Sequence, residues 1–209
     1  GEEIVASARV LLDTQAPVET NSLVHRVDGA APVTKLTATL VASGGNDRRV
    51  RLWRTSDGTS VRDLAGAERD IYSLLFTHDG SALLAGDLDG KIHQWAVATG
   101  ERTRTLDAAA LHLYEGGQQV HYGGVRALAL SPDAQSLVGA GLSKATNPLG
   151  NVQEPLALRF TWKDGTLAKT HVAEGLANHT VWGACFHPDG TLVACIGGNS
   201  GHLLFWGPH

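Results

Sequence analysis

The sequence predicts an all-β fold of repeated four-stranded antiparallel meanders, and three observations carry that expectation. Glycine fills 25 of 209 positions, against a usual share of about 7%; so much backbone freedom suits a chain with many turns and disfavours a helical bundle. Short apolar runs end in tryptophan four times: Val50–Trp53, Ile92–Trp95, Leu158–Trp162 and Leu203–Trp206. The tryptophans lie 42, 67 and 44 residues apart, and two of these spacings fit a structural repeat of about 40–45 residues. Turn signals break the chain between the runs at hairpin spacing, as in Thr77-His78-Asp79-Gly80 and His187-Pro188-Asp189-Gly190.

Taken in order, residues 1–29 read as half a unit, with strands over Ala8–Leu12 and Leu23–Val27. Residues 30–66 form a shortened unit. Its span from Val33 to Trp53 is 21 residues, against 25 and 26 in later units, and it lacks the first turn. A three-stranded or distorted sheet is expected there. Residues 67–107 give the clearest unit, with strands Ile71–Phe76, Ser81–Ala85, Lys91–Trp95 and Arg102–Leu106. Residues 108–174 carry strands Val125–Leu130, Gln135–Gly139 and Leu156–Trp162, the first two joined by Ser131-Pro132-Asp133-Ala134. Proline at the second turn position, with a small residue later, suits a tight turn. Residues 175–209 repeat the pattern over Val181–Phe186, Thr191–Ile196 and His202–Trp206, and stop after a third strand.

These turns, and the tryptophan that ends each third strand, resemble the WD40-repeat β-propeller family over about residues 30–206. The resemblance implies a propeller of four-stranded meander blades. It also assigns structural repeat positions: Ser43, Asp47, Trp53, Asp89, Trp95, Trp162, His179 and Trp206. The match is degenerate. Arg54, Ala96, Lys163 and Gly207 follow the four tryptophans where the family has Asp, and Gly66-Ala67-Glu68 replaces one Gly-His. In the half unit, Leu12-Asp13 stands where Trp-Asp would. Asp47, Ser43 and Trp53 come nearest to the family's polar network, so apolar packing is expected to hold the blades. The terminal strands do not complement one another, and a ring usually needs four to eight blades. The expectation is therefore an incomplete arc of about four to five blades, its open edges available to missing blades or another copy. The lack of any methionine points the same way, to part of a longer chain.

Composition excludes several function classes. Net charge is −4 with no basic block, which argues against a nucleic-acid groove. No run approaches 18 apolar residues, so no membrane span is expected. The acidic start Gly1-Glu2-Glu3 lacks the basic segment of a secretory leader; the compartment is otherwise unspecified, with a lean to the cytoplasm. Nucleophile-elbow, phosphate-loop and metalloprotease motifs are missing, so no catalytic residue, cofactor or metal is assigned. Cys185 and Cys195 fall on neighbouring strands without facing each other, and read as buried core thiols rather than a disulfide.

The connections differ more than the strands do. Two insertions of about 12 residues stand out, at about 107–122 and 142–154. In a meander blade, the connections from strand four to one and from strand two to three leave the same end of the strands, so both insertions share one face. Candidate partner-binding residues are His112, Tyr114, Glu115, Gln118, Gln119, His121 and Tyr122 in the first, and Lys144, Asn147, Asn151, Gln153 and Glu154 in the second. Arg48 and Arg49 join them from an adjacent turn on that face. Tyrosine and amide side chains suit adaptable recognition surfaces, although long loops also drift at little entropic cost. His112, His121 and Glu115 can approach one another, but no tight ligand spacing marks a metal centre. The leading expectation is a non-catalytic scaffold that binds a protein or peptide over this loop-rich face. The alternatives are a sensory or regulatory propeller region of a larger multidomain protein, or a metal-dependent propeller enzyme.

Overall fold

The computed structural model describes residues 3–6, 9–10, 18–19, 23–26, 40–146, 153–173 and 175–208. The chain divides into two compact units, 1–38 and 39–209. The first unit holds β1 (Glu3–Ala6), β2 (Arg9–Val10), β3 (Val18–Glu19) and β4 (Leu23–Arg26). β1 pairs antiparallel with β4, and β2 with β3. Of the two strands expected here, the portions Arg9–Val10 and Leu23–Arg26 are strand, but they belong to different pairs.

Among its described residues, the second unit contains four antiparallel sheets of three or four strands in chain order, and one two-stranded hairpin. β5 (Leu40–Gly44), β6 (Val50–Arg54) and β7 (Ser60–Leu64) form a three-stranded sheet; the strand expected over Val33–Leu40 lies outside the described residues except for Leu40. Next come β8 (Ile71–Phe76), β9 (Ala82–Asp87), β10 (Lys91–Ala96) and β11 (Arg102–Asp107). A two-stranded hairpin follows, β12 (His112–Glu115) and β13 (Val120–Gly123). The third sheet is β14 (Ala127–Leu130), β15 (Ser136–Ser143), β16 (Glu154–Thr161) and β17 (Leu167–Val172). The last is β18 (His179–Phe186), β19 (Leu192–Gly198) and β20 (His202–Trp206). Within each sheet, strands neighbour one another in sequence order, as a meander requires.

Apolar clusters lie between consecutive sheets. Val50, Leu52, Leu83 and Trp95 join the first sheet to the second. Leu84, Ile92, Leu137 and Phe160 join the second to the third. Val138, Ala157, Val181 and Leu192 join the third to the last. Burial on both faces explains the sequence of the middle strands. Ala82 to Asp87 is buried throughout, as is Ala127 to Leu130, so 82–86 and 127–130 read as continuous apolar runs rather than alternating ones. The outermost β11 and β17 are mostly exposed and polar. Each large side chain fully buried contributes about 1.5–3 kcal/mol. Gly86 permits a close approach between sheets: a Cβ there would lie 2.5 Å from both Val125 Cβ and Ser73 Oγ. Ser73 Oγ uses that proximity to donate to Val125 O at 2.7 Å.

Arginines tie each sheet to the next at the end opposite the inserted connections. Arg62 of β7 donates to the carbonyls of Ala98, at 3.1 Å, and Thr99. Arg104 of β11 donates to Trp162 O at 2.8 Å and stacks over the Trp162 ring. Arg159 of β16 donates to Pro208 O at 3.0 Å.

The cysteines correct the sequence reading: both are free and exposed rather than buried. Alternation places Val181, Leu192, Ala194 and Ile196 against the third sheet. It turns Cys185 and Cys195 outward, with Leu203 and Phe205, which are 61% and 66% exposed. Cys185 pairs with Val193, and Cys195 with Gly183, so the two thiols do not face each other across the strands.

Candidate functional site

The inserted connection after β11 is built rather than loose. A 3-10 turn over Ala109–Leu111 buries Leu111 completely in the core beneath it. Ala108 N donates to Gly90 O and Gly124 N to Leu111 O, both at 2.8 Å. Gly123 and Gly124 return the chain at φ of 89° each, a left-handed backbone that glycine adopts without cost. A Cβ on Gly124 would lie 2.8 Å from Leu88 Cα, so no larger residue fits there. The hairpin β12–β13 stands on this base, with Leu113 and Tyr114 exposed.

Three ligand-capable groups meet where the hairpin leans on the turn after β9. His112 and His121 occupy a diagonal pair on one face of the hairpin, because His121 pairs directly with Tyr114. His112 Nε2 and His121 Nδ1 are 2.9 Å apart, with their rings stacked at 5.1 Å. Both nitrogens lie 3.7 Å from Asp89 Oδ1. Arg69 Nε donates to the other oxygen, Asp89 Oδ2, at 2.8 Å. Burial lowers the His112 pKa below its ordinary value, with Asp89 opposing that shift and His121 adding to it. Tyr114 packs on His121 at 4.7 Å.

Glu115 does not join this group. Its Oε1 accepts from Gly117 N at 3.0 Å and closes the hairpin turn. Gln118 accepts from Tyr122 Oη at 3.3 Å, and Gln119 sits at the exposed tip with φ 56°. On the second insertion, Lys144 pairs with Glu154 at 2.8 Å. Gln153 Nε2 donates to Thr180 Oγ1 at 2.9 Å. Asn147 and Asn151 lie outside the described residues. Arg49 binds Asp63 at 3.1 Å and Arg48 approaches Asp70 at 4.0 Å. These two arginines therefore engage carboxylates of their own neighbourhood.

Two arrangements escaped sequence reasoning. Asp87 Oδ2 bonds His93 Nε2 at 2.9 Å, and His93 Nδ1 meets Thr105 Oγ1 at 3.2 Å. Both Asp87 and His93 are buried, and Asp87 Oδ1 also accepts from Lys91 N. This polar chain crosses the second sheet, beside a core that was expected to be apolar. The second arrangement stacks Arg126 over Tyr72 at 4.0 Å and places it 5.7 Å from the Trp182 ring. Tyr72 and Trp182 fall at register irregularities in β8 and β18, and such bulges re-aim side chains. A positional signal exists: each of the three follows the apolar residue that opens the run read from sequence as its unit's first strand, as Ile71-Tyr72, Val125-Arg126 and Val181-Trp182.

At the structural repeat positions, Trp53 Nε1 donates to Ser43 Oγ at 2.8 Å, and Asp47 accepts from Arg51 at 2.6 Å. Trp95 is fully buried and donates to Ala65 O at 2.9 Å. His179 is buried, with Nε2 3.1 Å from Ser200 Oγ. Trp206 packs on His171 at 5.2 Å.

Sheets of this build, meandering in chain order and stacked face to face, define a β-propeller repeat protein that is not closed into a ring over the described residues. Comparison with known proteins narrows the class. The WD domain, G-beta repeat profile matches residues 21–54, 58–96 and 169–207, more than half of the chain. The chain belongs to the WD40 family. It is 33% identical over 79 residues to human angio-associated migratory cell protein, covering 38% of this chain and 18% of that one. It is also 33% identical over 64 residues to autophagy-related protein 16 of Arabidopsis thaliana, covering 31% and 13%. Rat apoptotic protease-activating factor 1 shares 31% identity over 104 residues, covering 50% and 8%. The matches thus span less than a fifth of these relatives' lengths. The crystal structure of the computationally designed Ika4 protein shares the fold, with a TM-score of 0.55 at 20% identity, covering 82% of this chain and 86% of that one. WD40 repeats generally mediate protein–protein contacts, and the family is generally non-catalytic.

Proposed function

We propose that this chain is a non-catalytic scaffold that binds a protein or peptide over the rim carrying the two inserted connections. The observation that supports this most is the hairpin β12–β13. It is fixed at its root by buried Leu111 and by Gly123-Gly124, yet presents Tyr114 50% exposed at its flank. A rigid base under an exposed aromatic lowers the ordering cost of binding, and tyrosine supplies contact area at small entropic cost. Arg126, held between Tyr72 and Trp182, offers a second aromatic–cation element of the kind enriched at interfaces.

Site-specific photo-crosslinking tests this reading. A photoreactive phenylalanine analogue is placed at Tyr114 or Gln119, and as a control at Asp57 or Asp164 on the opposite rim. One discrete protein adduct from the hairpin positions, missing from the control positions and lost when residues 113–122 are replaced by a two-residue turn, is expected. Adducts that form equally from both rims, or that survive the hairpin deletion, overturn it.

A further inference from the structure

We infer that Asp89, His112 and His121 form a binding site for one divalent transition-metal ion of the zinc type, which clips the inserted hairpin to the blade beneath it. Three observations converge on it. First, three potential ligand atoms from two separate elements meet, all within 4.8 Å of one another. A tetrahedral ion with bonds of about 2.1 Å needs ligand atoms roughly 3.4 Å apart. The three edges here are 2.9, 3.7 and 3.7 Å, which bracket that value.

Second, Asp89 Oδ1 is buried without a hydrogen-bond partner. A hydrogen bond between the two imidazoles explains the 2.9 Å contact, but it leaves this oxygen unsatisfied. A buried carboxylate oxygen with nothing to accept is unfavourable, and a cation at the centre of the triangle removes that penalty. Third, the surroundings orient the ligands as outer partners do in metal sites. Arg69 holds Asp89 Oδ2 at 2.8 Å and so aims Oδ1 at the histidines. Tyr114 packs on the His121 ring.

Two nitrogens and one oxygen suit zinc, copper or nickel rather than calcium or magnesium, which prefer all-oxygen shells. The three side chains are 31%, 16% and 27% exposed, so solvent can reach a fourth position. The Arg69 guanidinium offsets the Asp89 charge, which places the site below the affinity of a closed structural zinc centre. The inference is independent of the partner-binding reading: the clip can exist whether or not the rim binds a protein.

The test uses the full chain, free of any affinity tag and stripped of metal. Zinc is titrated by calorimetry and by competition with a chromophoric chelator; cobalt is then added to record the visible absorption of a tetrahedral complex. The expected result is one equivalent bound, a raised melting temperature and a tetrahedral cobalt spectrum. Asp89→Asn, His112→Gln and His121→Gln should each weaken binding by roughly tenfold or more, while His187→Gln, at a separate His–Asp pair, should not. The metal-free melt of each variant verifies that it folds, and at least His121→Gln, which alters a partly exposed ring, should fold as the parent does. No saturable binding of one equivalent, or binding unchanged in any folded variant of the three, overturns the site.

Discussion

The third and last sheets of the second unit carry nearly the same turns and the same alternation, yet meet different fates. In the third sheet, residues 137–142 of β15 and 155–160 of β16 are buried, because neighbouring sheets cover both faces. In the last, alternate residues of β19 and β20 face solvent, with Phe205 66% exposed beside buried Leu192. The difference teaches that burial in this fold belongs to a sheet's place in the stack, and only secondarily to its own sequence. A strand's apolar content says what it can bury, and its neighbours decide what it does bury.

The largest effect that sharpens this comparison is a matched truncation. Phe160→Ala should cost about 3–5 kcal/mol, since its ring is fully enclosed between sheets. Phe205→Ala should stay within about 0.5 kcal/mol. Denaturant titration of both variants decides it, and similar losses would mean that the outer face is covered in solution. Next comes the buried polar chain of the second sheet. His93→Ala should cost about 1–3 kcal/mol, because Asp87 keeps its buried oxygen without its partner.

His171 lies at the junction of the two compared sheets, packed on Trp206. Burial, with help from Arg159 and Lys169, pulls it down to about 4, whereas an unfolded histidine titrates near 6.5. The folded chain therefore holds that proton less readily than the unfolded chain does. Stability from this group is complete above about pH 6.5 and is lost as pH falls toward about 4. Thermal melts across that range should show the loss, and His171→Gln should flatten it. A smaller loss is expected of Arg126→Lys, about 0.5–1 kcal/mol from the weakened stack on Tyr72. A last measurement concerns access rather than energy. Cys185 and Cys195 should both react with a maleimide in the native chain, since both are exposed; protection of either would show the outer face to be covered.

Much of the fold was legible in the sequence, because its signals are local. β8 to β11 lie within a residue or two of the runs read from alternation and turns. What escaped notice depends on distance in sequence. The hairpin β12–β13 reads from the sequence only as an inserted loop, although two short runs around glycine can equally signal a hairpin. The exposure of the cysteines hinges on what flanks the last sheet, which no periodicity records. At the candidate site, the pairing of His112 with His121 was within reach, since nine residues separate them. Asp89 was read as a repeat position and Glu115 as the third member of the group. The turn that brings Asp89 across belongs to the preceding sheet, and Glu115 is occupied by its own backbone. The Asp87–His93–Thr105 chain was hidden for the opposite reason: its members lie close in sequence, and only a cross-strand register aligns them.

The arginines that join one sheet to the next direct their hydrogen bonds across the joint to main-chain oxygens, Ala98 and Thr99, then Trp162, then Pro208, with the Trp162 ring adding a stack under Arg104. Every residue type supplies a carbonyl, so the receiving turn is recognised by its path and not by its spelling. Such a joint leaves the side chains of that turn open to substitution while holding its backbone in place. That is a physical reason why a chain can replace the aspartate of Trp-Asp with Arg, Ala, Lys and Gly in turn and still stack its sheets in the family's manner.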